Sequence, residues 1–149
     1  MKIITNSAQD TITVGFKLGS LLNAGDRVCL YGELGSGKTT LIKGIAEAFG
    51  INRRDITSAS FTIIAEYETQ KAANIPFYHI DLYRLDNVQT IEETGFFDYP
   101  GPDGVCVIEW AERVRGLIDC TLCVQINCLD GDQREIIIEG VDETHWHNH

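Results

Sequence analysis

Gly32-Glu33-Leu34-Gly35-Ser36-Gly37-Lys38-Thr39 fits the pattern G-x-x-x-x-G-K-[ST] at every fixed position, and its reading decides the fold. Glycines let such a loop curl so that consecutive backbone N–H groups face one anion. The helix that follows adds its own unpaired N–H groups and the positive end of its dipole. Lys38 is placed to neutralise the β and γ phosphates of a nucleotide, and the Thr39 hydroxyl to ligate magnesium. Gly35, Ser36, Gly37, Lys38, Thr39 and Thr40 are therefore the expected nucleotide-binding residues, while the side chains at 33, 34 and 36 read as free to vary. The plain alternative is a glycine turn with no ligand, and context argues against it. Arg27-Val28-Cys29-Leu30-Tyr31 reads as a short buried strand leading into the loop. Beyond it, Leu41, Ile42, Ile45 and Phe49 share one face of a helix over residues 38–49, which Gly50 caps.

Upstream, Ser7 to Asp10 has the S-x-x-D form of a capping box, and Val14, Leu18, Leu21 and Leu22 follow at helical spacing, so a helix is expected over residues 8–23. Downstream, residues 61–68 and 75–82 read as two strands of a hairpin joined by a polar turn at 70–74. Residues 87–94 read as a short helix capped by Gly95, 99–104 as a loop, and 105–108 as an apolar strand. Residues 120–129 and 133–140 flank Asp130-Gly131-Asp132 and predict a terminal hairpin. The alternation predicts one α/β domain over residues 1–149: a P-loop NTPase-type, mainly parallel central sheet flanked by helices, with a C-terminal antiparallel hairpin. Residues 145–149 read as a frayed, disordered tail.

Composition narrows the company the chain keeps. Of 149 residues, 44% are hydrophobic and 23% charged, an ordinary globular balance. No apolar run approaches the roughly 20 residues that span a bilayer, and no secretory signal is visible, so no membrane contact and a cytoplasmic location are expected. The formal net charge of −10 opposes direct approach to nucleic acid, despite Lys43, Arg53 and Arg54 lying near one another in sequence. An RNA-linked role would therefore rest on a partner protein. The five cysteines are Cys29, Cys106, Cys120, Cys123 and Cys128. Thiols buried on strands are preferred over a zinc site assembled from the Cys120-x-x-Cys123 pair with Cys128 and the terminal histidines.

A P-loop also needs an acid at the end of a neighbouring strand to hold magnesium. Phe77-Tyr78-His79-Ile80 ends in Asp81, and Val105-Cys106-Val107-Ile108 ends in Glu109. Spacing leaves both open, and Glu109 is preferred because its strand is the cleaner apolar run. A GTPase would carry N/T-K-x-D, which is absent, so ATP is favoured. Asp98-Tyr99-Pro100-Gly101 matches D-x-x-G but follows no good strand, and reads as coincidence. A small-molecule kinase is the enzyme alternative, although the arginines are scattered and no lid is visible. A non-hydrolysing nucleotide switch is the other.

Taken together, these motifs resemble the TsaE family (older name YjeE), small bacterial ATPases of tRNA threonylcarbamoyladenosine formation. The resemblance rests on the loop through Thr40, on His79-Ile80-Asp81-Leu82-Tyr83-Arg84-Leu85, on Glu92-Glu93-Thr94-Gly95, and on Val107-Ile108-Glu109-Trp110-Ala111-Glu112. It departs from the family at Ser58-Ala59-Ser60-Phe61, where Ser-Pro-Thr-Phe/Tyr is usual; Ser60 keeps a hydroxyl, and the missing proline loosens the loop. The resemblance implies ATP/ADP and Mg2+ as ligands, with Thr39 and Glu109 at the metal. It implies catalytic roles for Lys38 and for Asp81 near the γ-phosphate, with Ser60 assisting. It places Trp110 beside the site, Tyr83 and Arg84 toward partners or the switch, Thr11 near the adenine and Arg134 near the nucleotide. It also implies weak ATPase activity alone, and action on TsaB and TsaD. TsaD performs the transfer to adenosine 37, so tRNA is met only indirectly. Nothing in the sequence excludes self-association of the free chain.

Overall fold

Ser7 starts the first helix as its capping pattern predicts: its hydroxyl accepts a 3.0 Å hydrogen bond from the Asp10 N–H, while the Asp10 carboxylate accepts from the Asn6 N–H at 3.1 Å. The structure, a computed structural model, describes residues 1–56, 63–69 and 74–147. Helix α1 (Ala8–Leu21) is preceded by strand β1 (Lys2–Thr5) and followed by β2 (Arg27–Tyr31). The glycine loop then leads into α2 (Lys38–Glu47). Strands β3 (Ile64–Tyr67) and β4 (Phe77–Asp81), helix α3 (Val88–Glu93) and strand β5 (Val105–Glu109) come next. The chain ends with β6 (Leu122–Cys128), β7 (Arg134–Glu139) and helix α4 (Glu143–His147). Short 3-10 turns occupy Arg53–Asp55, Phe96–Asp98 and Ala111–Val114.

All seven described strands join one sheet in the order β1-β7-β6-β2-β5-β4-β3. Its centre, β6-β2-β5-β4, is parallel. Antiparallel strands close both margins: β7 and β1 on one side, β3 on the other. The expected α/β class, terminal hairpin and parallel core are present. β5 is buried at all five positions, as a parallel strand covered on both faces must be. Its side chains alternate: Val105 and Val107 pack with α1 and α2 in one core cluster, Cys106 and Ile108 with Leu82, Ile91 and Phe96 in another.

Helices α1 and α2 cross with their backbones almost touching. A Cβ on Gly44 would stand 2.0 Å from the Ile12 carbonyl oxygen, and one on Gly15 2.2 Å from that of Leu41. Only glycine permits this approach.

One strand was missed and two expectations need correction. β1 was not legible in the sequence; it pairs with β7 in the register Lys2↔Ile137, Ile3↔Ile136, Ile4↔Glu135 and Thr5↔Arg134. The segment read as a frayed tail is helical through His147, and Trp146 is buried in the main core cluster; Asn148 and His149 lie outside the described residues. The cysteines are not all thiols, since Cys29 and Cys120 form a disulfide with Cα atoms 6.0 Å apart. That bond commits Cys120 and leaves Cys106, Cys123 and Cys128 free. Among the described residues, no helix is long and apolar enough to cross a membrane.

Candidate nucleotide site

At the C-terminal ends of β2, β4 and β5 lies a cavity of about 460 Å³. Parallel sheets place their ligands at this end of the strands. One wall is the loop and the first turn of α2: Gly35, Gly37, Lys38, Thr39 and Thr40. The opposite wall is Asp81, Glu109 and Trp110, with Tyr83, Arg84 and Arg134 at the rim.

The loop wall is built for an anion. Gly37 takes the left-handed conformation, φ 108°, that turns the chain into α2. Helix α2 carries no side-chain cap and no acidic residue in its first turn. Neither a cap side chain nor a first-turn acid offsets the positive end of its dipole, which makes it a ready anion site. Lys38 is buried; its Nζ donates to the Gly32 carbonyl and lies 3.6 Å from the centroid of the Trp110 ring. Burial lowers its pKa, against the upward pull of the Glu109, Glu112 and Asp81 charges. The loop is pinned from both sides. Glu112 Oε2 accepts from the Gly32 N–H at 3.3 Å, and Arg134 Nε donates to the Ser36 carbonyl at 2.9 Å.

The acidic wall follows from strand register. Asp81 and Glu109 are direct partners across β4 and β5. Asp81 Oδ1 accepts from the Tyr83 N–H at 2.9 Å. Burial pushes its carboxyl above the usual carboxylate range, with the Glu109 charge pushing the same way. Glu109 is only 4% exposed, and its Oε2 lies 2.7 Å from His79 Nε2. Trp110 turns the chain sharply with φ 60°, and its ring meets that of Tyr83 at 4.9 Å between centroids.

Most of the residues singled out from the sequence are therefore brought together: Gly35, Gly37, Lys38, Thr39, Thr40, Asp81, Glu109 and Arg134 all line this cavity. Ser36 is not among the lining residues, and because it is only 2% exposed its side chain is not free to vary in size. Thr11 does not line the cavity; it is buried, with its hydroxyl 2.8 Å from that of Thr5. Ser60 lies outside the described residues. The Asp98–Gly101 segment sits at the opposite end of β2, where Arg27 donates to the Tyr99 and Asp119 carbonyls, and takes no part in the site. Two partners were missed. His79 shares a strand face with Asp81 by simple alternation, a signal the sequence contains. Glu112 reaches the loop only because Trp110 turns the chain, which no spacing rule reveals.

A glycine loop between the central strand β2 and a helix, faced by acids at the ends of β5 and β4, the next two strands on one side, defines a P-loop-type α/β protein. The family model of threonylcarbamoyl adenosine biosynthesis protein TsaE matches residues 5–136, and the chain belongs to that family. It is 38% identical to the tRNA threonylcarbamoyladenosine biosynthesis protein TsaE of Treponema pallidum over 139 residues, 93% of this chain and 99% of that one. It is 34% identical to the protein of the same name from Aquifex aeolicus over 138 residues, 92% of this chain and 94% of that one. Among solved structures, YdiB of Bacillus subtilis superposes with a TM-score of 0.73 at 32% identity, covering 97% of this chain and 87% of that one.

Proposed function

We propose that the chain binds Mg-ATP in this cavity and hydrolyses it in the service of tRNA N6-threonylcarbamoyladenosine formation at adenosine 37. It does so as a cytoplasmic ATPase acting on a complex of TsaB- and TsaD-type proteins, which handle the tRNA. The observation that carries the ATP reading is the uncapped start of α2 beside buried Lys38, opposite two strand-end carboxylates. The pathway is supported by the family and by the names of its members, while the TsaB- and TsaD-type partners are what the resemblance of the motifs implies.

The residues present fit a magnesium-bound triphosphate. The loop N–H groups and Lys38 hold the phosphate oxygens. Thr39 and Glu109 supply the hard oxygen donors that magnesium prefers. The metal, when bound, neutralises charge on the β and γ oxygens. Asp81 is the base on this reading. Its burial makes the carboxylate a stronger proton acceptor than an exposed aspartate, suited to orienting a water. Ser60 assists on this reading, and Arg134 steadies the glycine loop through Ser36. Turnover by the isolated chain is slow, and the partner complex completes the site.

Calorimetric titration of Mg-ATP and Mg-GTP, with Lys38→Ala as control, tests the reading. We expect preference for ATP, weakened about ten- to a hundredfold in the variant, as loss of a charged hydrogen-bond donor implies. Phosphate release that rises on adding the TsaB–TsaD pair separates an ATPase from a non-hydrolysing switch. Absence of binding to either nucleotide, alone or with that pair, would overturn the proposal.

A further inference from the structure

The carboxylate of Glu109 is held from below. His79 and Asp81 alternate on β4, and their side chains share the face that Phe77 and Val107 present to the α1–α2 core. Glu109 ends β5 on the same face, in register with Asp81. His79 lies one step deeper and is 1% exposed, with Nε2 at 2.7 Å from Glu109 Oε2. A carboxylate that serves as a metal ligand only accepts hydrogen bonds, so in that role Glu109 takes the imidazole N–H as its donor. One oxygen of Glu109 is thereby occupied, while the residue itself lines the cavity. Two carboxylates side by side at a strand end repel each other, and an untethered Glu109 would have several rotamers open to it.

We propose that His79 is the positioning residue of the magnesium-binding carboxylate: it selects the Glu109 rotamer and the single oxygen offered to the metal. This rests on the assignment of Glu109 to magnesium made above. Hydrogen-bond partners that orient a metal ligand typically change metal affinity about ten- to a hundredfold when removed. His79 is buried and is not among the residues that line the cavity, so its removal should spare metal-free binding and weaken only what magnesium adds.

The test is the ratio of ATP affinity in magnesium to that in EDTA, measured by calorimetry on the full chain. The variants are His79→Phe, which fills the space without a donor, His79→Gln, which restores an N–H donor, and Glu109→Gln. We expect the ratio to fall about tenfold or more in the phenylalanine variant and to recover in large part in the glutamine variant. Affinity in EDTA should stay within about twofold of wild type in both, and Glu109→Gln should lose the magnesium effect. If the phenylalanine variant does not fold, His79→Asn, whose shorter amide falls short of the carboxylate, is read in its place. An unchanged ratio in the donor-less variant, with the effect lost in Glu109→Gln, overturns the role of His79 alone. So does an equal loss with and without magnesium, or a glutamine variant no better than phenylalanine, since either assigns the effect to packing. A full magnesium effect in Glu109→Gln instead removes the metal assignment itself, and the role of His79 with it.

Discussion

At Asp81 the demands of the site and of stability oppose each other. Burial holds the carboxyl above its ordinary range, and the Tyr83 N–H, His79 and Lys38 only partly offset burial and the Glu109 charge. The folded chain therefore keeps this proton at pH values where the unfolded chain has released it. Its contribution to stability is full below the unfolded pKa and is lost as pH rises through the higher folded pKa. Asp81→Asn keeps the oxygen that accepts from Tyr83 and removes the buried charge. Its thermal midpoint should exceed that of wild type near pH 7, and the difference should shrink as pH falls toward about 4. ATP turnover should be lost in the same variant. Melting curves across that range decide the matter: a midpoint difference independent of pH would show that the carboxylate carries no burial penalty. Lys38, Thr39 and the two acids were legible in the sequence because the loop motif is contiguous and each acid ends an apolar run. The His79–Glu109 bond was not, because it depends on strand register between residues 30 positions apart.

Helix α2 carries the loop, and α1 fixes the position of α2, so the site inherits its geometry from a helix crossing. Gly44 decides how close that crossing is. Alanine is the better helix former by about 1 kcal/mol, which favours Gly44→Ala in isolation. Against this, the added Cβ would overlap the Ile12 carbonyl oxygen at 2.0 Å, a backbone atom with no rotamer to yield. Overpacking of this kind costs about 1–3 kcal/mol, so the clash should outweigh the propensity gain. The variant should unfold at lower denaturant concentration, and its ATP affinity should fall because α2 shifts the loop. Chemical denaturation with a parallel nucleotide titration reads both. Higher stability would mean that the helices separate without penalty. The spans of α1 and α2 were close to legible because caps and periodicity are local signals. β1 was not: its four residues gain strand structure from pairing with β7, more than 100 positions away, and they carry no alternating pattern strong enough to announce it. The last helix was hidden for a related reason, since burial of Trp146 is a tertiary event inside a stretch that reads as polar.

At the scale of the whole molecule, net charge argues against direct contact between this chain and RNA. The chain carries a formal charge of −10, while the cations that line the cavity, Lys38, Arg84 and Arg134, gather at one place. A polyanion as large as tRNA would approach a chain of net negative charge, and RNA affinity depends on releasing counterions from phosphates. Proteins that bind nucleic acid without specificity reach dissociation constants of about 10⁻⁴ to 10⁻⁶ M at physiological salt. The isolated chain should fall short of that range. Fluorescence anisotropy with labelled tRNA at about 0.15 M salt should show no saturable binding up to tens of micromolar protein, and lowering the salt should not restore it. Addition of the TsaB–TsaD pair should bring tRNA and this chain into one assembly. Salt-sensitive binding of tRNA by the chain alone would overturn the reading, because its slope would count phosphates neutralised by a basic surface and would make this chain itself an RNA-binding subunit.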